Sequence, residues 1–551
     1  HVVYMSCDSM RGWPIGLLYF LHQFPSPVTS FHRSMAYGLW FFTIVEPTNQ
    51  PSPTYQGLYL LSLSSISAIA CNYCSYFYIS LSTVLFFYLQ EITPVPIRQR
   101  TTMLRTTSIR SSSHLLRRSI ATQAAPKAEV TALSNGIVVA TKHNPHSLTS
   151  SVGVVFGSGS TAENPYNNGV SNVWSNVFTG KQTAAEAAKK GFSLSSTVGR
   201  DFQSYIVDSK PGSASSALEF LQSKFSAPLN DSIFEETKNS VLSQVSNFEH
   251  NDHAGRVMEH LHSTAFQNTP LSLPTRGTVE SIETLVPSDL QSFASNHFLA
   301  SNAVVVGSGN ISHQELVKAA ESQISLKSGA KPVQKKQSSF LGSEVRLRDD
   351  TLPKAWISIA AEGEKITSPH YMTSLLAAQV FGSYNASEPA SRLQGVKLLD
   401  ILQEYQITDS FDHFSLGYKD SGLWGFTTTT SAVGSIDDLI HFTLKQWNRL
   451  TISVTDTEIA RAKALLKLKL ASAATDNASV ATHLGAATLA QVEKTDLAEA
   501  YAAIDALTAK DVKQWAGDKL WDQDIAIAGV GQIEGLLDYM RIRADMSMMR
   551  W

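Results

Sequence analysis

Two stretches of this chain, about 220 residues apart, carry one pattern. Asp289, Phe293 and Gly309 recur as Asp511, Trp515 and Gly531, each at an offset of 222, and both glycines follow an apolar strand-like run, Ala303–Val306 and Ile525–Ala528. A second pair, Arg200-Asp-Phe-Gln-Ser-Tyr and Lys419-Asp-Ser-Gly-Leu-Trp, repeats at an offset of 219. A unit duplicated once predicts two similar domains packed on each other, because two copies are too few for a solenoid. We place the first at 128–325 and the second at 342–540, joined by the polar, basic linker 326–341.

Within each half, strand-like and helix-like segments segregate in runs. Asn135-Gly136 between apolar segments signals a hairpin, and 152–156 reads as a buried strand. Helical periodicity runs through 183–190, 214–225 and 231–248, and Asp456 is placed to cap a helix carrying Ala462, Leu465, Leu466, Leu468 and Leu470. The fold class expected is α+β: two homologous domains, each a mixed or antiparallel sheet covered on one side by helices.

The charge balance is uneven along the 551 residues. Of 91 charged residues, seven fall in 1–102, where there is no lysine; 47–90 has no charge at all. The apolar run 58–89 is long enough for a membrane span, although it is rich in serine. From Met103 the composition changes: Arg105, Arg110, Arg117 and Arg118 stand among Ser, Thr and apolar residues, with no acid before Glu129. An arginine-rich, acid-poor start is the mark of a mitochondrial transit peptide, which works at a free amino terminus. Residues 103–121 are therefore read as that peptide, the mature chain as starting near Ala121 or Thr122, and 1–102 as lying outside the working protein. The mature part would carry 36 basic and 44 acidic residues. An acidic chain gives no reason to expect nucleic acid as a partner.

Cys7, Cys71 and Cys74 are the only cysteines, which leaves no thiolate chemistry after Met103. Gly307-Ser-Gly309 follows a strand, but the third glycine of a dinucleotide loop is Ser312, so a strand-ending turn is expected. Among His250, His253, His260 and His262, the last two diverge on a helix, whereas His250 and His253 could share a face; caps and core-lining roles are expected rather than zinc. Arg461, Lys463, Lys467 and Lys469 read as a solvated helix face. No nucleophile elbow or Walker loop is present.

The order of Leu133-Ser-Asn-Gly-Ile-Val-Val139, Val155-Phe-Gly157-Ser-Gly-Ser160, Asn168-Gly169, Tyr418-Lys-Asp420-Ser-Gly422 and the two strand-ending glycines resembles the pitrilysin/insulinase-type zinc peptidase family over about 128–540. The resemblance implies an H-x-x-E-H helix just after Asn168-Gly169. There this chain has Asn172 and Asn176 at the histidine positions and Ser175 at the glutamate; Gln244 aligns with the downstream carboxylate ligand. Amides are poor zinc ligands and serine is no general base near neutral pH, so no catalytic, metal or cofactor site is expected.

Two inactive mitochondrial kinds in that family offer themselves. One is the presequence-binding α subunit of the processing peptidase, whose glycine-rich loop would fall at Val380–Pro389; that stretch has one glycine here. The other is the core subunits of ubiquinol–cytochrome c reductase, the second more than the first on the segment from Glu259 to Phe298. The resemblance then implies two similar α+β domains forming a clam-like pair, with a structural role in respiratory complex III, peripheral on the matrix side of the inner membrane. Its neighbours would be core subunit 1 and the cytochrome and iron–sulfur subunits, with no bound cofactor.

Overall fold

The computed structural model describes residues 34–36, 39–41, 127–330, 332, 336–492 and 496–547. The candidate span at 58–89 and the transit segment 103–121 lie outside them. The chain divides into the units His1–Ser108 and Ile109–Trp551. In the first, β1 (Ser34–Ala36) pairs antiparallel with β2 (Leu39–Phe41). No helix of the described residues is long and apolar enough to cross a membrane.

The second unit holds two six-stranded sheets. The first contains β3 (Ala128–Ala132), β4 (Val138–His143), β5 (Ser150–Phe156), β6 (Ser193–Val198), β7 (Gln203–Ser209) and β8 (Ala303–Gly309), in the order β3-β4-β8-β5-β7-β6. The second contains β9 (Ser343–Arg348), β10 (Ala355–Glu362), β11 (Ser383–Asn385), β12 (Ser410–Gly417), β13 (Gly422–Thr430) and β14 (Ile525–Gly531), in the order β11-β12-β13-β10-β14-β9. The five shared positions have the same directions: β4 and β8 are parallel, as are β9 and β14, and every other neighbour is antiparallel. The central registers agree to the residue. Val138 faces Val304 as Ser343 faces Ala526, and Phe156 faces Ala303 as Ala361 faces Ile525. The duplication legible in the sequence is thus a duplication of topology, and the mixed-sheet α+β class holds. The copies differ at their edges: β3 caps β4 in the first sheet, whereas β11 caps β12 in the second.

Central strands are buried on both faces, so they read as continuous apolar runs rather than as alternations. β5, β8 and β14 are buried along their whole length. One face of each sheet packs under helices of its own half. In the first half Phe156, Tyr205 and Phe298 form an aromatic cluster, with Phe156 stacked on Phe298 at 4.3 Å between centroids. In the second, Trp424 meets Trp447 at 4.8 Å and Trp515 at 5.5 Å, edge to face. Such pairs add about 0.5–1.5 kcal/mol each beyond their buried area.

The opposite face of each sheet is not bare, as a one-sided arrangement would leave it. The helix His253–Ala265 of the first half lies on β9, β10 and β14, and the helix Asn477–Leu489 of the second half lies on β4, β5, β7 and β8. Each half therefore closes the other's core. The approach is close at Gly485, where a Cβ would stand 2.4 Å from Val155 Cγ2.

Three local expectations change. Thr455, not Asp456, caps the helix Asp456–Ala473, because its hydroxyl takes the Glu458 N–H while the Glu458 carboxylate takes the Thr455 N–H. The run Arg461–Lys469 is a solvated face only in part: Lys469 is exposed and Lys463 and Lys467 reach Asp505 at the surface, but Arg461 donates inward to the carbonyls of Val380, Gln394 and Gly395. The linker region is tied down at its end, where the Ser338 N–H donates to Asp420 and the Leu341 N–H to the Ala265 carbonyl.

Candidate functional site

The helix Val170–Thr179 carries the positions that matter. Its entry is fixed by Gly169, in the left-handed region at φ 98°, where a Cβ would stand 2.9 Å from Ile282 Cγ1. Just before it, the buried carboxylate of Glu163 accepts the N–H groups of Gly169 (2.8 Å) and Ser171 (2.7 Å) and the Asn168 side-chain amide (2.7 Å). The two N–H groups are backbone donors that a helix start leaves without intrahelical partners. Burial pushes the Glu163 carboxyl up to about 7, against the pull of its three donors. Sequence reading passed over this residue, since a single glutamate in a polar loop has no periodicity to betray it.

Asn172 and Asn176 lie one turn apart, and Asn176 Nδ2 donates to Asn172 Oδ1 at 3.0 Å. Asn172 Nδ2 donates to the Arg276 carbonyl at 3.0 Å. From the facing helix Asp231–Asn251, the exposed Gln244 donates its Nε2 to Asn176 Oδ1 at 3.3 Å. The three amides that sequence reading singled out are thus brought together as one chain of hydrogen bonds across two helices. Ser175 is not part of it. It is buried, and its hydroxyl bonds to the Ser196 hydroxyl on β6 at 2.6 Å. Zinc bound by imidazole and carboxylate has no matching donors here: a neutral amide ligates only weakly and through its oxygen, and the Oδ1 atoms of Asn172 and Asn176 already accept hydrogen bonds. Among the described residues no group of three or more His, Cys, Asp or Glu is placed to hold a metal.

The histidine cluster separates. His250 closes one helix and donates Nδ1–H to the Ser246 carbonyl, while Asp252 caps the next helix at Gly255, so His250 and His253 do not share a face. The His253 ring lies 4.5 Å from the Trp356 ring. His262, fully buried, gives its Nδ1–H to the Met258 carbonyl, which leaves Nε2 to accept the Tyr418 hydroxyl at 2.7 Å. Burial and the Arg200 charge hold that imidazole neutral, well below its ordinary range.

This bond lies on the seam between the halves, and the repeat Arg200-Asp201 and Lys419-Asp420 sits there too. Arg200 pairs with Glu259 at 2.7 Å, and the Lys419 N–H donates to Asp201 at 2.9 Å. A cavity of about 400 Å³ opens beside them, lined by Phe202, Met258, Tyr418 and Leu489. Gly309 and Gly531, at φ 90° and 94°, end their strands in tight turns, as the incomplete glycine pattern implied. The stretch Val380–Pro389 is no open loop: it ends a helix at Phe381 and turns at Gly382 into β11.

Comparison with known proteins gives this arrangement its setting. Residues 138–279 match the insulinase family (peptidase family M16), and 284–466 match the family described as the peptidase M16 inactive domain. Subunit 1 of the mitochondrial cytochrome b-c1 complex of Saccharomyces cerevisiae is 66% identical over 457 residues, 82% of this chain and 100% of that protein. The β subunit of the mitochondrial processing peptidase of Neurospora crassa is 34% identical, over 76% of this chain and 91% of that protein. A chain in the structure of complex III2 from Candida albicans with bound Inz-5 superposes with a TM-score of 0.72 at 39% identity, covering 76% of this chain and all of that one.

The core-subunit resemblance therefore stands, but its numbering does not: the yeast relative is subunit 1, where the segment 259–298 had favoured the second kind. The processing-peptidase relative is likewise a β subunit rather than an α. With two M16 sheets, matching families over both halves and a relative covered end to end, the chain belongs to the M16 peptidase family.

Proposed function

We propose that this chain is a non-catalytic core subunit of mitochondrial respiratory complex III. It would sit peripherally on the matrix side of the inner membrane, supporting assembly of the cytochrome and iron–sulfur subunits beside the other core subunit. The observation that carries the non-catalytic part is the amide chain Asn172–Asn176–Gln244, with Ser175 bonded away to Ser196. Nothing in it polarises a carbonyl or takes a proton near neutral pH. We read Asn172, Ser175, Asn176 and Gln244 as the degenerate zinc-site positions, and we assign no cofactor.

We also propose 103–121 as a transit peptide, with 1–102 outside the working protein and the domains and linker as bounded above. The yeast relative's span supports this, since it is covered completely by 82% of this chain and 103–551 is about that share. The alternative role, presequence binding beside an active processing peptidase subunit, draws on the Neurospora relative.

A native gel of mildly solubilised mitochondria, with this chain's peptides mapped across it, tests the reading. Co-migration with the cytochrome subunits, with peptides starting near Ala121, is expected. Migration as a soluble pair with a subunit bearing H-x-x-E-H would overturn it in favour of the alternative.

A further inference from the structure

The chain has two Asn-Gly pairs, Asn135-Gly136 and Asn168-Gly169, and the fold treats them oppositely. In such a pair the next backbone nitrogen reaches the side-chain amide carbon with least obstruction, because glycine has no Cβ. The glycine nitrogen attacks asparagine Cγ. A new N–Cγ bond closes a succinimide ring, the Cγ–Nδ2 bond breaks, and the backbone proton leaves with Nδ2 as ammonia. Water then opens the ring at either carbonyl, giving aspartate or its β-linked isomer. Water is the only co-reactant, and nothing is oxidised or reduced. At Asn168 both partners in the attack are tied down. Asn168 is buried; its Nδ2 donates to Glu163 Oε2 at 2.7 Å and to the Pro274 carbonyl at 3.1 Å, and the Gly169 N–H donates to the same carboxylate at 2.8 Å. Ring closure there requires the helix entry to come apart.

Asn135 stands at the tip of the β3–β4 hairpin, exposed together with Ser134 and Gly136. A Cβ at Gly136 would meet nothing within 4 Å, so the space around the attacking nitrogen is open. The leaving group, Asn135 Nδ2, has no hydrogen-bond partner among the described residues, whereas Asn135 Oδ1 accepts the Ile137 N–H at 3.1 Å. That bond draws electron density from Cγ and holds the oxygen while it carries charge during the addition. One restraint opposes the attack: the Gly136 N–H donates to the Leu133 carbonyl at 3.1 Å. It is a single exposed turn bond, of the kind that opens at little cost in free energy.

We propose that Asn135 is a site of spontaneous deamidation and isomerisation in the folded protein, and that Asn168 is kept from it by the Glu163 carboxylate. The consequence falls on β3. This edge strand pairs with β4 alone, Ala128 opposite Lys142 through Ala132 opposite Val138, and most of its side chains are exposed. The β-linked isomer adds a backbone carbon to the turn and moves the bond from the Leu133 N–H to the Ile137 carbonyl out of register. It also leaves a carboxylate at the tip. The modified hairpin holds β3 less firmly, so old copies of the chain carry a mark that new ones lack.

Ageing the natively isolated protein at mildly alkaline pH, beside a sample unfolded in urea, tests this. Peptide mass spectrometry with fragmentation that separates aspartate from its β-linked isomer reads both sites over time. In the folded protein Asn135 should convert at least about tenfold faster than Asn168, and in urea the two should convert at similar rates. An isoaspartyl carboxyl methyltransferase supplied with labelled S-adenosylmethionine should label the aged folded protein, and Asn135→Gln should lose most of that label. Asn135 that stays an amide in the folded protein while its unfolded counterpart converts overturns the proposal. Folded Asn168 converting as fast as Asn135 overturns it equally.

Discussion

Glu163 and His413 show how much of this molecule turns on single buried groups. The Glu163 carboxyl titrates near 7 in the fold against 4.5 in the open chain. A raised carboxyl binds its proton more tightly when folded, so its contribution to stability is complete below about 4.5 and is lost as pH rises through 7. The difference in melting temperature between the natural chain and Glu163→Gln should therefore move against the natural chain from pH 4.5 to pH 7.5; a pH-independent difference would contradict this.

His413 has the opposite sign. It sits between Phe381 and Phe426, and burial pulls its imidazole down to about 3. That term is complete above 6.5 and fades as pH falls towards 3. Its Nε2 accepts the Trp447 indole N–H at 3.1 Å. His413→Phe strands that donor, and denaturant unfolding should show a loss of about 1–3 kcal/mol. Sequence reading found the amide positions because a family spacing marks them. It passed over Glu163 and His413, whose importance comes from burial alone.

Among the elements, the exchanged helix Asn477–Leu489 packs closely on the sheet it covers. Gly485→Val would drive a side chain into Val155 and Val306, 2.4–2.9 Å from its Cβ, and should cost about 1–3 kcal/mol or more. Limited proteolysis should then cut within this helix sooner than elsewhere. Some strands and helices, such as 152–156, 214–225 and 231–248, were legible because apolar runs and 3.6-residue periods survive in the sequence. Others were not, nor were their destinations. The helix Asn477–Leu489 is alanine-rich with hardly any amphipathic period, so nothing in it marks a face that belongs to the other half's sheet. Likewise the basic residues from Arg461 to Lys469 look solvated until Val380 and Asp505 are seen beside them.

At the scale of the whole molecule, reciprocal exchange makes the two halves one folding unit. Cutting a protease site inserted in the linker 326–341 should leave two fragments that co-elute on size exclusion without denaturant. Fragments that separate and stay folded would show that each core closes alone. The duplication itself was open to sequence reading, since Asp201, Asp289 and Gly309 recur as Asp420, Asp511 and Gly531 and their aromatic neighbours stay aromatic; the seam was not, because packing between repeats leaves no spacing of its own.

The same exchange sets a timetable. A chain delivered from its amino end completes the first sheet at Gly309, yet the helix that seals that sheet's outer face ends at Leu489, about 180 residues later. Until that helix has arrived, Val155, Val304 and Val306 stand uncovered. A first half that arrives ahead of the second is thus a natural client for a chaperone.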